Sequence, residues 1–267
     1  MLSTTRNLWA RRSLLQQLTF AELKSSTSES HAGWLWWLLD PFLTMMVYWA
    51  VVVGIFGRGA DYHPYPLFIL CALLPFRHLS SAATACCRAL RNREGLIRAI
   101  PFPTIVIPLS IALSRFGFFA FGTIVLLGAA VAWERPLGAA LIQLPLLFGC
   151  QILLISGIAL VLASLGALVA DLSDLLGHIL RLLFYACPTI YGMDMAREAL
   201  GAAPAWVWHL YRSNPFAILF EGYRDAVFRN TFSDPGQLAL LTLSSVVVLM
   251  LGFAFFQYFD RKVIKFL

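Results

Sequence analysis

The chain has 267 residues, of which 60% are apolar and only 13% charged. A soluble domain is nearer a quarter charged, so the composition excludes an ordinary soluble fold and points to a membrane protein. The net charge of +6 is spread over segments that would face anionic lipid, which argues against nucleic-acid binding.

Residues 7–24 come first. Leu8, Leu14, Leu15, Leu18 and Ala21 cluster on one side of a helical wheel, with Arg11 and Arg12 flanking them, the pattern of a helix lying in the membrane interface. A polar break over 25–30 follows. Trp34, Trp36 and Trp37 then fit an aromatic belt. Six apolar runs reach or approach the roughly 20 residues that cross a bilayer as a helix. They are 34–56, 65–87, 103–132, 139–170, 176–193 and 237–259. The first starts too late and is too long for a cleavable signal, so none is expected. It contains Asp40, which either caps a helix restarting at Pro41 or needs a partner. The fourth run is long enough to tilt, to break near Gly157 or to extend past the membrane, and the fifth is short. With both ends in the cytoplasm, the inside segments hold twice as many Lys and Arg as the outside ones, and an even span count is self-consistent. A basic tail, 260–267, ends the chain. Arg77 and Arg115 fall inside spans. Each either faces a polar pathway, pairs (Asp40 is one candidate) or snorkels. The five cysteines, Cys71, Cys86, Cys87, Cys150 and Cys187, read as packing residues without disulfide or zinc spacing.

Two segments do not fit plain loops. In 88–102, Asn92 can cap a short helix and Glu94 suits its first turn. Leu96, Ile97 and Ile100 then share one face, and Pro101 ends the helix. Phe102 is held extended by Pro103, which fits the first turn of the next span. A short helix with an exposed apolar face wants a partner. Residues 194–236, on the outside, contain two short helices over 203–228. Ser213 or Asn214 caps the second, with Pro215 at its first position. Phe216, Leu219, Phe220, Tyr223 and Val227 recur at helical spacing, and Glu221 and Arg224 can pair at i, i+3. Such helices can dip back into the membrane where protein or a wet cavity covers them.

At these residues the chain resembles the membrane subunit of ABC exporters that move lipid-linked polysaccharide such as O-antigen, teichoic acid or capsular polysaccharide. Asn92, Leu96, Ile97, Arg98, Phe102, Pro103 and Pro108 match the family's loop before the third span. Ser30, Gly33, Leu35, Trp36 and Pro41 match its motif at the first span. Asn214, Pro215, Glu221, Tyr223, Arg224 and Asp225 match its external run. The match departs at Ser26 and Thr27 (Arg-Tyr in the family), at Thr104 and Ile105 (Arg-Glu) and at Arg77 and His78, where apolar or aromatic residues are usual. The resemblance implies an all-α integral membrane protein of six spans, with an interfacial N-terminal helix, a cytoplasmic coupling helix and short external re-entrant helices. It implies a homodimer working with two copies of a separate P-loop ATPase, which would carry ATP and Mg; this chain would bind no cofactor itself. Asn92, Glu94, Leu96, Ile97, Arg98, Ile100, Phe102 and Pro103 would then couple to the ATPase. Asn214, Pro215, Glu221, Tyr223 and Arg224 would form an external gate. Trp34, Trp36, Tyr48, Trp49, Tyr191, Arg77 and Arg115 are candidates for the substrate pathway, although each aromatic also suits a belt or core position.

Other readings are weaker. Lys24, Lys262 and Lys265 are the only lysines and none follows glycine, so the chain lacks a P-loop. Asp171 and Asp174 have a spacing that can hold a metal–pyrophosphate in a membrane enzyme, but without a second acidic pair; Asp171 or Ser173 more simply caps a helix. The histidines show no HExxH pattern. Related halves, expected of a secondary transporter, are not evident. An ABC exporter of a drug or small lipid shares much of the layout.

Overall fold

The computed structural model describes residues 12–28, 35–55, 57, 62–99, 103–169, 171–201 and 203–266. Every regular element among them is helical. In chain order these are α1 (Arg12–Ser28), α2 (Leu35–Trp49, prolonged by a wider π-type turn, Ala50–Ile55), α3 (Tyr65–Asn92), α4 (Glu94–Ala99), α5 (Val106–Ala132), α6 (Leu144–Leu168, entered through a 3₁₀ turn, Ala139–Gln143), α7 (Leu172–Ala186), α8 (Met193–Ala199), α9 (Ala205–Arg212), α10 (Pro215–Tyr223, continued by a π-type turn, Arg224–Arg229) and α11 (Pro235–Phe266).

Four of these segments are long and apolar enough to cross a membrane: Tyr65–Asn92, Val106–Ala132, Ala139–Leu168 and Pro235–Phe259. They occupy the second, third, fourth and sixth apolar runs. The first run yields a shorter apolar helix, Leu39–Ile55. It passes through Asp40 and Pro41 without restarting, so Asp40 is not a cap. The fifth run departs most from expectation. Its helix is α7, of 15 residues, about 22 Å against a hydrocarbon core of about 30 Å. It starts before the apolar run, and it stops at Cys187 because Pro188 cannot continue it.

The close approach of α6 to its neighbours rests on glycine. A Cβ at Gly157 would lie 2.5 Å from the Val248 carbonyl oxygen of α11, and one at Gly252 would collide with the Gly157 carbonyl. One at Gly166 would collide with the Cys87 carbonyl of α3. Small residues let membrane helices pack backbone to backbone. Gly157 is therefore a crossing point in a continuous helix, and a break there, one of the three readings of the long run, does not occur.

Two apolar clusters make the core. The larger joins α3 and α6 to α7 and α10 through Phe68, Leu147, Phe184 and Phe220. The smaller lies at the other end of α3, where Leu90, Ile107 and Ala163 are covered by Leu14, Leu15 and Leu18 of α1. The apolar stripe expected of α1 thus packs on protein, except that Ala21 is exposed. Leu8 and Arg11 lie outside the described residues.

Candidate functional site

The polar chemistry gathers at the two ends of α3 and along one of its faces. At the Tyr65 end, Asn214 caps α10: its Oδ1 accepts from the Phe216 amide at 3.0 Å. Pro215 occupies the first helical position, where no amide is needed. Ala217, Ile218, Leu219 and Phe220 are buried, so α10 is inserted into the bundle. This orientation drives Arg224 inward. Its side chain is 0% exposed. The guanidinium stacks over the Phe68 ring at 3.8 Å and pairs with Glu221 at 2.6 Å. It donates to the carbonyl oxygens of Thr189 (2.8 Å), Tyr191 (3.0 Å) and Phe68 (3.4 Å). Only the planar fork of arginine serves so many acceptors at once. Glu221 also takes Arg229 at 2.7 Å, and Arg229 reaches Asp225 at 2.7 Å. Burial alone would push the Glu221 carboxyl up, but Arg224 and Arg229 outweigh it and hold it below the usual range. Asp225 goes the other way: burial raises it despite Arg229.

Tyr191 belongs to this cluster. Its carbonyl takes Arg224, its hydroxyl donates to the Tyr185 carbonyl at 2.9 Å, and it accepts from Tyr211 at 3.1 Å. Asn214 further donates to the Cys187 sulfur at 3.4 Å. The segment after α7, the start of α3 and α10 are therefore fastened at one guanidinium. The helices expected over 203–228 are α9 and α10, with α8 ahead of them.

From α10 a buried polar chain runs into the bundle. The Tyr223 hydroxyl donates to Gln151 Oε1 at 2.5 Å. Gln151 Nε2 donates to His78 Nδ1 at 2.8 Å, and His78 Nε2 donates to the Ala112 carbonyl at 3.3 Å. All three side chains are buried, and each polar atom is matched, as a low dielectric demands. The sequence reading missed this chain. Its available signals were His78, which interrupts the second span, and Gln151 within a long apolar run.

At the Asn92 end, α4 projects from the bundle. Asn92 is the last residue of α3, not the cap of α4. Glu94 pairs with Arg98 across one turn at 2.7 Å. Leu96 is 40% exposed, whereas Ile97 is half-buried against the smaller core cluster. The expected apolar face is thus divided between an anchoring residue and an offered one. Arg93 is paired with Glu22 of α1, and Arg115 of α5 approaches the same carboxylate at 3.8 Å. Pro103 opens a turn whose carbonyl accepts from the Val106 amide at 3.1 Å. Ile100 and Phe102 lie outside the described residues.

Between these ends the pathway candidates separate. Arg77 is paired with Asp40, as one reading allowed. Arg77 lines a cavity of 880 Å³ together with Arg88, Arg93 and Arg115. It also borders a second cavity, of 430 Å³, with Tyr48, Arg181 and Tyr185. Tyr48 and Tyr185 meet at 3.3 Å through their hydroxyls, and Tyr48 packs on Phe184 at 5.5 Å. Trp49 stands apart, in an apolar cavity of 390 Å³ with Met45, Pro64 and Trp133. Trp34 and the Trp36 side chain lie outside the described residues. Asp174 is exposed and 3.6 Å from Arg88. Asp171 holds the position before α7 without a side-chain capping bond.

No family model matches the chain. It is 24% identical over 257 residues, 96% of either chain, to the O-antigen export system permease protein RfbA of Myxococcus xanthus. It is 25% identical over 245 residues, 91% of either chain, to the protein of that name from Klebsiella pneumoniae. With the polysialic acid transport protein KpsM of Escherichia coli it shares 24% identity over 248 residues, 91% of this chain and 92% of the relative. The chain is thus similar along nearly its whole length to permeases of polysaccharide export, which supports the resemblance carried by its three motifs.

Proposed function

We propose that this chain is the transmembrane subunit of an ATP-driven exporter that moves a lipid-linked polysaccharide from the cytoplasm across the inner membrane of a bacterium. It works as a homodimer with two copies of a separate P-loop ATPase, which carries the ATP and Mg. The observation that carries the reading is α4. A six-residue helix projects from the end of a long span and offers Leu96 outward. Ile97 seats this helix on the bundle while Leu96 is left for a partner, and an ATPase docking there covers it. The full-length similarity to named export permeases agrees, and the sequence has no Gly-Lys of its own to hold a nucleotide.

The geometry suits a lever. Ile97 anchors α4 on the bundle. Arg93 ties its root to Glu22 of α1, and Glu22 faces Arg115 of α5. A push on α4 therefore reaches α1, α3 and α5 together. At the far end the Arg224 cluster fastens α10 to the segment after α7 and to the start of α3, so tilting of α3 strains that fastening and opens the outer side.

The test is co-purification. The tagged chain is extracted in mild detergent and its companions are identified by mass spectrometry. A P-loop ATPase is expected with the wild type. It is expected to fall at least about tenfold with Leu96→Asp, since a charge at an apolar anchor of an interface costs roughly 2 kcal/mol or more. The melting temperature should barely move, because Leu96 is exposed. Absence of any ATPase under several mild conditions, or full retention by the variant, overturns the proposal.

A further inference from the structure

Span α3 has the lowest mean hydropathy of the four, 1.4 against 2.5 for the segment Ala139–Leu168. One face of it is polar. Arg77, Ser81, Thr84, Arg88 and Asn92 recur at helical spacing and line the 880 Å³ cavity. This face runs from the α4 end to a point about 18 Å from the start of the helix, near its middle. Its opposite side is buried core. A polar stripe of this length along a span is costly against lipid and acceptable where it lines a wet path. The cavity has the size of sites that take a small ligand, roughly 300–1,000 Å³.

Its charges are unevenly matched. Among the described residues, four arginines, Arg77, Arg88, Arg93 and Arg115, face two lining carboxylates, Glu22 and Asp40. Glu22 is engaged by Arg93 and approached by Arg115. Asp40 holds Arg77. Arg88 meets Asp174 at 3.6 Å and Ser173 at 3.2 Å, both at the rim on α7. Arginine with neighbouring hydroxyls is the recognition chemistry of phosphate oxygens.

We propose that this cavity binds a phosphate or pyrophosphate group, with Arg88 receiving it at the α4 end, Arg77 deeper in, and Asp40 acting as the counter-ion that the arriving anion displaces. Asp40 lets Arg77 stay charged inside the membrane while the site is empty. It returns when the anion leaves, so the anion is held without being trapped. The proposal deepens the exporter reading by naming the part of the cargo that this chain grips, and it rests on that reading only for the cargo's identity.

The experiment uses the purified full chain in nanodiscs and follows ³¹P line broadening of two probes, farnesyl pyrophosphate and inorganic pyrophosphate. Arg77→Gln and Arg88→Gln should each weaken binding about tenfold, the loss of one charge-assisted hydrogen-bonded contact. Asp40→Asn should tighten it several-fold, an outcome that a misfolded chain does not produce. Arg197→Gln, on the exposed side of α8, should leave it unchanged. Tighter binding of the farnesyl probe marks a lipid-borne headgroup, and equal binding marks a free anion; arginine dependence supports the site in both cases. Wild-type affinity in both arginine variants, or weaker binding in Asp40→Asn, overturns it. No ATPase is involved, so failure here is separate from failure of the co-purification test.

Discussion

Arg224 is the residue on which the outer end depends. Its fork satisfies three backbone carbonyls and one carboxylate while fully buried. Arg224→Ala leaves those acceptors without a donor, and breaking such a buried pair costs about 3–5 kcal/mol. Arg224→Lys restores the charge but not the fork, so it should recover only part of the loss. Thermal melts in detergent read both. The same cluster sets a pH dependence. Glu221 is held below the usual carboxylate range, so its folded-state pKa lies below its unfolded one. Its ion pairs contribute fully above the unfolded pKa, and the contribution is lost as pH falls through the depressed value. Asp225 is shifted up by burial and acts in the opposite sense, its share being lost as pH rises. Glu221→Gln isolates the first effect: it should melt lower than wild type near neutrality and converge with it in acid. Parallel curves would show that Glu221 does not set the slope. The Glu221–Arg224 pair was readable from its i, i+3 spacing. The carbonyls of Phe68, Thr189 and Tyr191 were not, because they come from segments distant in sequence that only the folded bundle brings together.

Among the elements, the long spans were the most readable. Uniform apolar runs around 20 residues have few alternatives in a bilayer, and α3, α5, α6 and α11 follow them. The bounds of the fifth run, 176–193, differ from its helix because hydropathy ignores where a helix stops. Pro188 ends α7 inside the apolar run, and the polar start at Leu172–Asp174 lies before it. The break at Gly157 stayed open as one reading for a related reason. Propensity marks an interior glycine as a weak point of a helix, whereas here the missing Cβ is what admits α11. Gly166→Ala and Gly252→Ala should each cost about 1–3 kcal/mol, the usual penalty of overpacking, or more where backbone must shift. Gly128→Ala and Gly149→Ala have open space around the new methyl and should be neutral or slightly stabilising, by up to about 1 kcal/mol. Melting the four variants side by side checks the crossing geometry, and equal behaviour of the two pairs would sink it.

At the scale of the whole molecule, the short α7 is the unfinished element. Leu176, Leu180 and Phe184 face the core, yet Leu175, Ile179, Leu182 and Tyr185 stand exposed, Leu182 at 71%. An exposed apolar face is ordinary for a full span such as α11, which is long enough to sit in lipid by itself. It is not ordinary for a helix about 8 Å short of the hydrocarbon thickness that carries Asp174, His178 and Arg181. Such a helix is better covered by protein, and short spans are often accommodated by association. The proposed homodimer supplies that cover if the two copies meet at α7, which also sets the cavity bordered by Tyr48, Arg181 and Tyr185 beside the seam. The native cysteines Cys71, Cys86, Cys87, Cys150 and Cys187 are all buried, so a new surface thiol can be read against them. Leu182→Cys should give a cross-linked dimer on mild oxidation in native membranes. Leu243→Cys, equally apolar and 63% exposed on α11, should not. The reverse pattern would move the seam to α11 and leave the outer face of α7 to lipid, and with it the wall of a shared passage.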